Sequence, residues 1–200
     1  MRPDPTILAF DTSAAHCVAA LLRGGQIVAQ RHEDMAKGQA ERLLPLLEEV
    51  LADGDAAWSD LDAIGVGVGP GNFTGIRISV SAARGLALSL GKPAIGISRL
   101  EAQAYGLVRP IWSLVDARRD HVYAQKLGVS DVPSLLSSEE AATLAGDMIG
   151  PDADPQIAPA IAQLAAVRLI KGNDIPRPAP LYIRAADAAP PRDPAPVILD

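Results

Sequence analysis

Two short segments carry the residue types that could hold a phosphate. Asp11-Thr12-Ser13 stands where an apolar strand ends and a hairpin begins. Backbone amides in such a turn, with a hydroxyl beside them, can cradle a phosphate, and the carboxylate can hold a metal-bound water. The same Asp and Ser can equally satisfy the turn's own amides through local hydrogen bonds. The second segment, Gly69-Pro70-Gly71-Asn72-Phe73-Thr74-Gly75, is a glycine-rich turn that opens a helix whose first amides are free to face an anion. It meets neither common nucleotide fingerprint. Gly75 is followed by Ile76-Arg77 rather than Lys-Ser/Thr, and the spacing G-x-G-x-x-G fails from Gly65, Gly67 and Gly69. A tight turn that lets the helix pack closely on its sheet explains the glycines as well. The candidate phosphate loop is therefore Asp11, Thr12 and Ser13 with Gly69, Gly71, Thr74 and Gly75.

No catalytic constellation accompanies it. His16, His32 and His121 lie far apart, and no pair has the i, i+4 spacing of a two-histidine metal site. His16 and Cys17 are neighbours on a predicted strand, so their side chains point to opposite faces and form no dyad. There is no G-x-S-x-G elbow.

The composition of the 200 residues narrows the class further. The chain is 48% hydrophobic and 21% charged, ordinary for a folded globular protein. Aromatics are 4% of it, so the core should be aliphatic and poor in platforms for base stacking. The net charge of −6 argues against a phosphate backbone gripped by this chain alone. Arg118-Arg119 reads as a solvated basic pair on a turn. The single cysteine, Cys17, fits a reducing compartment, and no stretch approaches the length of a membrane span or a signal peptide. A cytoplasmic protein is expected.

The elements that must position these residues follow from periodicity. Residues 6–11, 16–22 and 26–32 read as three consecutive antiparallel strands, with Gly24-Gly25 as a hairpin signal. Residues 39–53 read as a helix in which Pro45 either lies in the first turn or introduces a kink. Its apolar arc is wide enough for packing on two sides. A buried strand at 63–69, a helix at 74–90 ended by Gly91-Lys92-Pro93, and a strand at 94–97 complete a β-β-β-α-β-α-β half. In the second half, strands at 111–116 and 121–127 flank a turn, Ser137 or Ser138 caps a short helix, and 158–170 is helical. Asp116 ends its strand as Asp11 does, 105 residues later, which suggests two related lobes. These are residues 1–100, a smaller lobe at 101–184, and a proline-rich tail at 185–200 predicted to be extended or disordered. Gly75, Ser79, Ser81, Ala82, Ala83 and Gly85, with Ile76, Val80 and Leu86 between them, suit either packing on the sheet or a subunit interface.

Taken in order, several segments resemble the TsaB (YeaZ-like) family. They are Ile7-Leu8-Ala9-Phe10-Asp11-Thr12-Ser13, Glu41-Arg42-Leu43-Leu44-Pro45, the run from Gly67 to Arg77, Gly96 to Ala102, Asp116-Ala117-Arg118-Arg119, and Leu181-Tyr182-Ile183-Arg184. The resemblance covers roughly residues 6 to 184, and the glycine run is its most specific piece. It implies a two-lobed α/β fold of the actin/Hsp70/sugar-kinase type with a reduced second lobe. It also implies a non-catalytic scaffold that activates TsaD for threonylcarbamoyl transfer to N6 of adenosine 37 in tRNAs reading ANN codons. The implied contacts are TsaD through first-lobe helices, TsaE in the assembled complex, a homodimer when isolated, tRNA only indirectly, and no membrane. ATP and metal would be handled by partner subunits, with neither bound by this chain alone. By position, the interface would use Leu43, Leu44, Leu47, Val50 and Leu51 with Ile76, Ser79, Val80, Ala83 and Leu86.

The chain departs from the family in two places. Gln39 stands where the family often has a histidine, and Ala117-Arg118-Arg119 follows Asp116 where kinases of this fold have glycines that admit phosphate. A small ATPase or phosphotransferase of the same fold is the competing reading. Peptidase activity, suggested only by older naming, lacks any nucleophile–base pair in the sequence.

Overall fold

The computed structural model describes residues 4–151, 156–172 and 175–184. Strands β1 (Ile7–Asp11), β2 (His16–Arg23) and β3 (Gln26–Asp34) form the predicted antiparallel meander. Helix α1 (Gln39–Asp53) leads to β4 (Ala63–Gly67), α2 (Phe73–Leu90) and β5 (Ala94–Ile97). Both β4 and β5 join in parallel, giving a sheet of order β3-β2-β1-β4-β5. A short helix α3 (Arg99–Gln103) then hands the chain to β6 (Ile111–Arg118) and β7 (His121–Leu127). With β8 (Ser134–Ser137) and β9 (Met148–Ile149) these make a second sheet, β8-β7-β6-β9, beside helix α4 (Ser138–Ala142). Helix α5 (Ile157–Lys171) closes the regular structure. The architecture is the two-lobed actin/Hsp70/sugar-kinase type, with the second lobe reduced to a small sheet and one short helix.

Strand alternation builds a three-layer first lobe. Leu8 and Phe10 point to one face and pack with Leu43, Leu46, Leu47, Val50 and Leu51 of α1 and Ala83 of α2. Ile7 and Ala9 point to the other and pack with Ile161, Ala162 and Ala165 of α5. Gly65 makes that second face possible, since a Cβ there would meet Ala9, Ile161 and Ala165 at 3.1 to 3.2 Å. Residues 157–171, which the sequence division put in the second lobe, therefore cover the first sheet. Asp62, Pro93 and other loop groups complete the backbone pairing around this core.

Pro45 lies inside α1 rather than in its first turn, on the exposed side. Arg42 spans it: the guanidinium donates to both carboxylate oxygens of Glu49 at 2.7 and 2.8 Å and to those of Glu33 on β3 at 2.6 and 2.8 Å. This fork fixes α1 to the edge strand across the position where the proline removes a ladder hydrogen bond. Among the described residues no helix is long and apolar enough to cross a membrane.

The burial pattern corrects the predicted interface. Leu43, Leu47, Val50, Leu51, Ile76, Ser79, Val80 and Ala83 are at most 3% exposed and belong to the chain's own core. A wide apolar arc was consistent with two-sided packing, but α1 spends nearly all of it on the sheet. Of the predicted set, Leu44 is exposed at 49% and Leu86 is half-buried. A charge at Leu47 would therefore unfold the lobe instead of probing an interface. Leu47→Ala should cost about 3 kcal/mol of stability by emptying a packed site. Urea unfolding checks this, and a loss below about 1 kcal/mol would contradict a fully packed position.

Candidate functional site: the cleft between the two hairpin turns

The first predicted loop is closed on itself. Asp11 is fully buried, and its Oδ2 accepts from Ser13 N at 2.9 Å, Ser13 Oγ at 2.8 Å and His16 Nε2 at 2.7 Å. Burial pushes the Asp11 carboxyl up, but the His16 hydrogen bond and charge, the Arg99 charge and the Ser13 bond together hold it below the ordinary aspartate value. Of the two readings of Asp11-Thr12-Ser13, the local hydrogen-bonding one describes the structure. His16 is the partner that completes it.

The glycine run is pressed onto this turn from the opposite side. Thr12 Oγ1 donates to the Gly75 carbonyl at 2.7 Å, and Asn72 N donates to the Ser13 carbonyl at 2.6 Å. A Cβ on Gly75 would lie 2.0 Å from the Thr12 oxygen, and one on Gly71 would lie 2.2 Å from the Ser13 oxygen. Gly67 faces Asp11 Oδ1 in the same way, at 1.9 Å. Gly71 and Gly75 admit backbone and Gly67 admits the Asp11 carboxylate, and the turn they admit is the chain's own. Gly69, at φ 91°, supplies the bend and its carbonyl accepts from Arg99 N at 2.7 Å. The amides and hydroxyls that a phosphate would need in Asp11-Thr12-Ser13 are thus largely spoken for. Thr74, the remaining member of the candidate loop, is exposed at the start of α2.

Beyond this contact the two lobes face each other across a cleft of about 620 Å³. The first lobe contributes Ser13, Gln39, the first residues of α2 and Arg99, and the second contributes Asp116, Arg118, Arg119 and Tyr123. The two aspartates that echo each other in sequence thus end up in different surroundings. Asp11 is sealed in, whereas Asp116 is exposed and accepts from Arg118 N at 2.9 Å within its turn. Arg118, Arg119 and Asp120 are consecutive left-handed residues, at φ 59°, 52° and 57°. No glycine relieves them, and non-glycine residues in this region carry local strain.

The last described segment completes the cleft. Leu181 N donates to the Val68 carbonyl at 2.8 Å, and the Tyr182 ring stacks on Phe73 with centroids 5.2 Å apart. Arg77 Nε donates to Tyr182 Oη at 2.9 Å while its guanidinium covers the Phe73 ring at 3.8 Å. This pins the chain across the start of α2 and sets Arg184 in the cleft wall. Sequence reasoning gave no role to Arg99 or Arg184, and took Arg118-Arg119 as solvated. Each arginine sits within a quoted motif, but nothing in the sequence announces that Arg99 and Arg184, 85 residues apart, come to one wall. Among the described residues no group of three or more His, Cys, Asp or Glu side chains is arranged to hold a metal ion. The tail predicted at 185–200 lies outside the described residues.

The buried Asp11–His16 pair makes a testable claim on stability. A carboxyl whose folded-state pKa lies below its unfolded value stabilises the fold fully above that unfolded value, about 3.9. The contribution is lost as pH falls from there through the folded pKa. Asp11→Asn should cost about 3 kcal/mol at pH 7 and flatten the acid limb of the stability curve. Urea midpoints between pH 7 and pH 3 test this; an unchanged acid limb in the variant would remove Asp11 from the account.

Comparison with known proteins matches this geometry to a family. The family model described as "TsaD: tRNA N6-adenosine threonylcarbamoyltransferase" matches residues 26–182. The tRNA threonylcarbamoyladenosine biosynthesis protein TsaB of Escherichia coli K12 is 36% identical over 122 residues, 58% of this chain and 52% of that protein. The protein of the same name from Bacillus subtilis is 41% identical over 124 residues, covering 59% and 53%. Over these alignments the chain spans about half the length of the curated relatives it matches. An uncharacterized protein of Mycobacterium tuberculosis H37Rv is 32% identical over 206 residues, covering 92% of this chain and 94% of its own. The solved structure of YeaZ from Pseudomonas aeruginosa superposes with a TM-score of 0.75 at 27% identity, over 89% of this chain and 99% of that one. The chain belongs to the TsaD sequence family and, within it, to the TsaB (YeaZ-like) proteins.

Proposed function

We propose that this chain is a non-catalytic subunit of the machinery that makes threonylcarbamoyladenosine in tRNA, working by holding a TsaD-type partner through the outer face of α1 and α2. The single observation that carries this reading is the closed Thr12–Gly75 contact, which leaves the first-lobe turn engaged with its own backbone instead of a substrate. The relatives' names supply the pathway, and the absence of a nucleophile–base pair in the sequence supports a role without bond-making. In this reading ATP turnover and metal chemistry belong to partner subunits, TsaE joins the assembly, tRNA is met only through it, and the whole acts in the cytoplasm.

The contact face differs from the one the sequence suggested. Leu44 and Pro45 on α1 and Ser81, Gly85 and Leu88 on α2 are exposed, with Ala82 and Leu86 half-buried between them. A Cβ on Gly85 would meet nothing within 4 Å, so another backbone can approach there. The same face would pair two copies when the partner is missing. Burying the two exposed leucines, Leu44 and Leu88, contributes about 1.5–3 kcal/mol each at most, before association costs.

Gly85→Arg and Leu44→Glu should each abolish co-elution with a TsaD-type partner without lowering the melting temperature. Gly85→Arg should even stabilise the free chain, by about 0.5–1 kcal/mol, because glycine is a poor helix former. Full co-elution of both variants would move the interface elsewhere. The pathway is tested separately, by mass spectrometry of tRNA nucleosides after depletion in the source organism. Retained threonylcarbamoyladenosine would refute it, and turnover of Mg-ATP by the isolated chain would favour the phosphotransferase reading.

A further inference from the structure

We propose that the outer edge of the first sheet, beside β5, docks an extended acidic segment of a partner protein. Apolar side chains of that segment enter two cavities, and its carboxylates meet Arg84, Lys92, Lys171 and Arg177. The inference goes beyond the pairing through α1 and α2 and is read on the isolated chain. The cavities, of about 560 and 540 Å³, share Ile175, Arg177 and Pro178. Val68 and Ile95 line the first, and Ala87, Leu88 and Ala94 line the second. Spaces of this size with aliphatic walls suit apolar groups. Around them the charge is of one sign. None of Arg84, Lys92, Lys171 and Arg177 makes a side-chain hydrogen bond or ion pair among the described residues, and no described Asp or Glu lines either cavity. Arg168 lines the first cavity too, but Glu101 and the Gly96 carbonyl already hold it.

Four like charges beside apolar walls, in a chain whose net charge is −6, repel one another, and an anionic occupant removes that cost. Lys171 has a local reason for its place, since it complements the dipole at the end of α5. Arg84, inside α2, and Arg177, beyond α5, have none. The backbone around Arg177 is stiffened by Pro176 and Pro178. Pro178 is buried, and a Cβ on Gly96 would come within 3.3 Å of it. Arg177 is thereby held exposed between the two cavities, with little backbone ordering left for binding to require. The walls select the occupant. An RNA backbone would match the cations but has no use for aliphatic cavities, and no aromatic ring lines them to stack a base. An extended peptide presents apolar and acidic side chains along one strand and uses both features.

Fluorescence anisotropy of the purified full chain tests this with a labelled ten-residue peptide of six glutamates, two prolines and two leucines. The leucines stand four positions apart, about 13 Å in an extended chain. The peptide should bind saturably and one-to-one, and more weakly as salt rises. Serine in place of both leucines, or glutamine in place of the glutamates, should each weaken binding about tenfold or more. Arg177→Gln should weaken it about fivefold. Combining that change with Arg84→Gln, Lys92→Gln and Lys171→Gln should abolish binding without lowering the melting temperature. Lys37→Gln, on the turn between β3 and α1, should leave binding unchanged. Leu44→Glu should bind the peptide as the parent chain does, so loss of the α1–α2 pairing and failure of this proposal are separate results. No saturable binding, equal binding of the glutamine peptide, or affinity that survives the fourfold substitution would overturn the proposal. So would tighter binding of a uridine oligonucleotide of equal charge, which would assign the surface to nucleic acid.

Discussion

The structure turns on one backbone-to-backbone contact, the seat of the Asp11-Thr12-Ser13 turn in the glycine run. Thr12 and Ser13 carbonyls lie where Cβ atoms of Gly75 and Gly71 would be, and Asp11 lies over Gly67. Hydrogen bonds from Thr12 to Gly75 and from Asn72 to Ser13 close the gap. That seat fixes where α2 begins, and α2 in turn fixes Phe73, Arg77 and the segment stacked on them. The buried His16–Asp11 pair holds the turn from behind. The glycine-rich loop thus serves as an internal joint.

The two lobes are very unequal. The first lobe has helices on both faces of a five-stranded sheet, while the second has a four-stranded sheet and one short helix. What couples them is polar and local. Gln103 on α3 donates to Ser113 Oγ at 3.0 Å and to the Leu114 carbonyl at 2.7 Å, and Ser113 Oγ donates to the Leu100 carbonyl at 2.8 Å. Buried and satisfied, this network sets the angle at which the second hairpin turn overlooks the cleft.

Most of the fold was legible because strand alternation and helix periodicity are strong in this chain. The three-strand opening, α1, β4, α2, β5, the β6–β7 hairpin and α5 all stand within about two residues of their sequence-based bounds. What escaped was short: α3, β8 and β9 span 5, 4 and 2 residues, too few for a period to show. For α3 a capping box, Ser98 with Glu101, was readable. The site was legible in its parts but not in its use. Sequence showed that the glycines permit close approach, but what approaches is set by tertiary structure. Likewise the leucines of α1 were visible as an apolar arc, but its division between sheet and solvent depends on the depth at which α1 sits. Arginines such as Arg99 and Arg184 carry no period at all, so only the assembled fold brings them together.

Helix α5 and the strap through Leu181 and Tyr182 lend the first lobe material from the far end of the chain. Ile161 and Ala165 supply the layer beneath Ile7 and Ala9, and Leu181 N pairs with Val68. During synthesis the amino-terminal sheet therefore leaves the ribosome with one face bare. It must wait for the whole stretch of chain between Ile97 and Ile157 before that face is covered, and long-range closure of this kind is slow. Maturation of this lobe is consequently a late event, gated by translation of the carboxyl-terminal half.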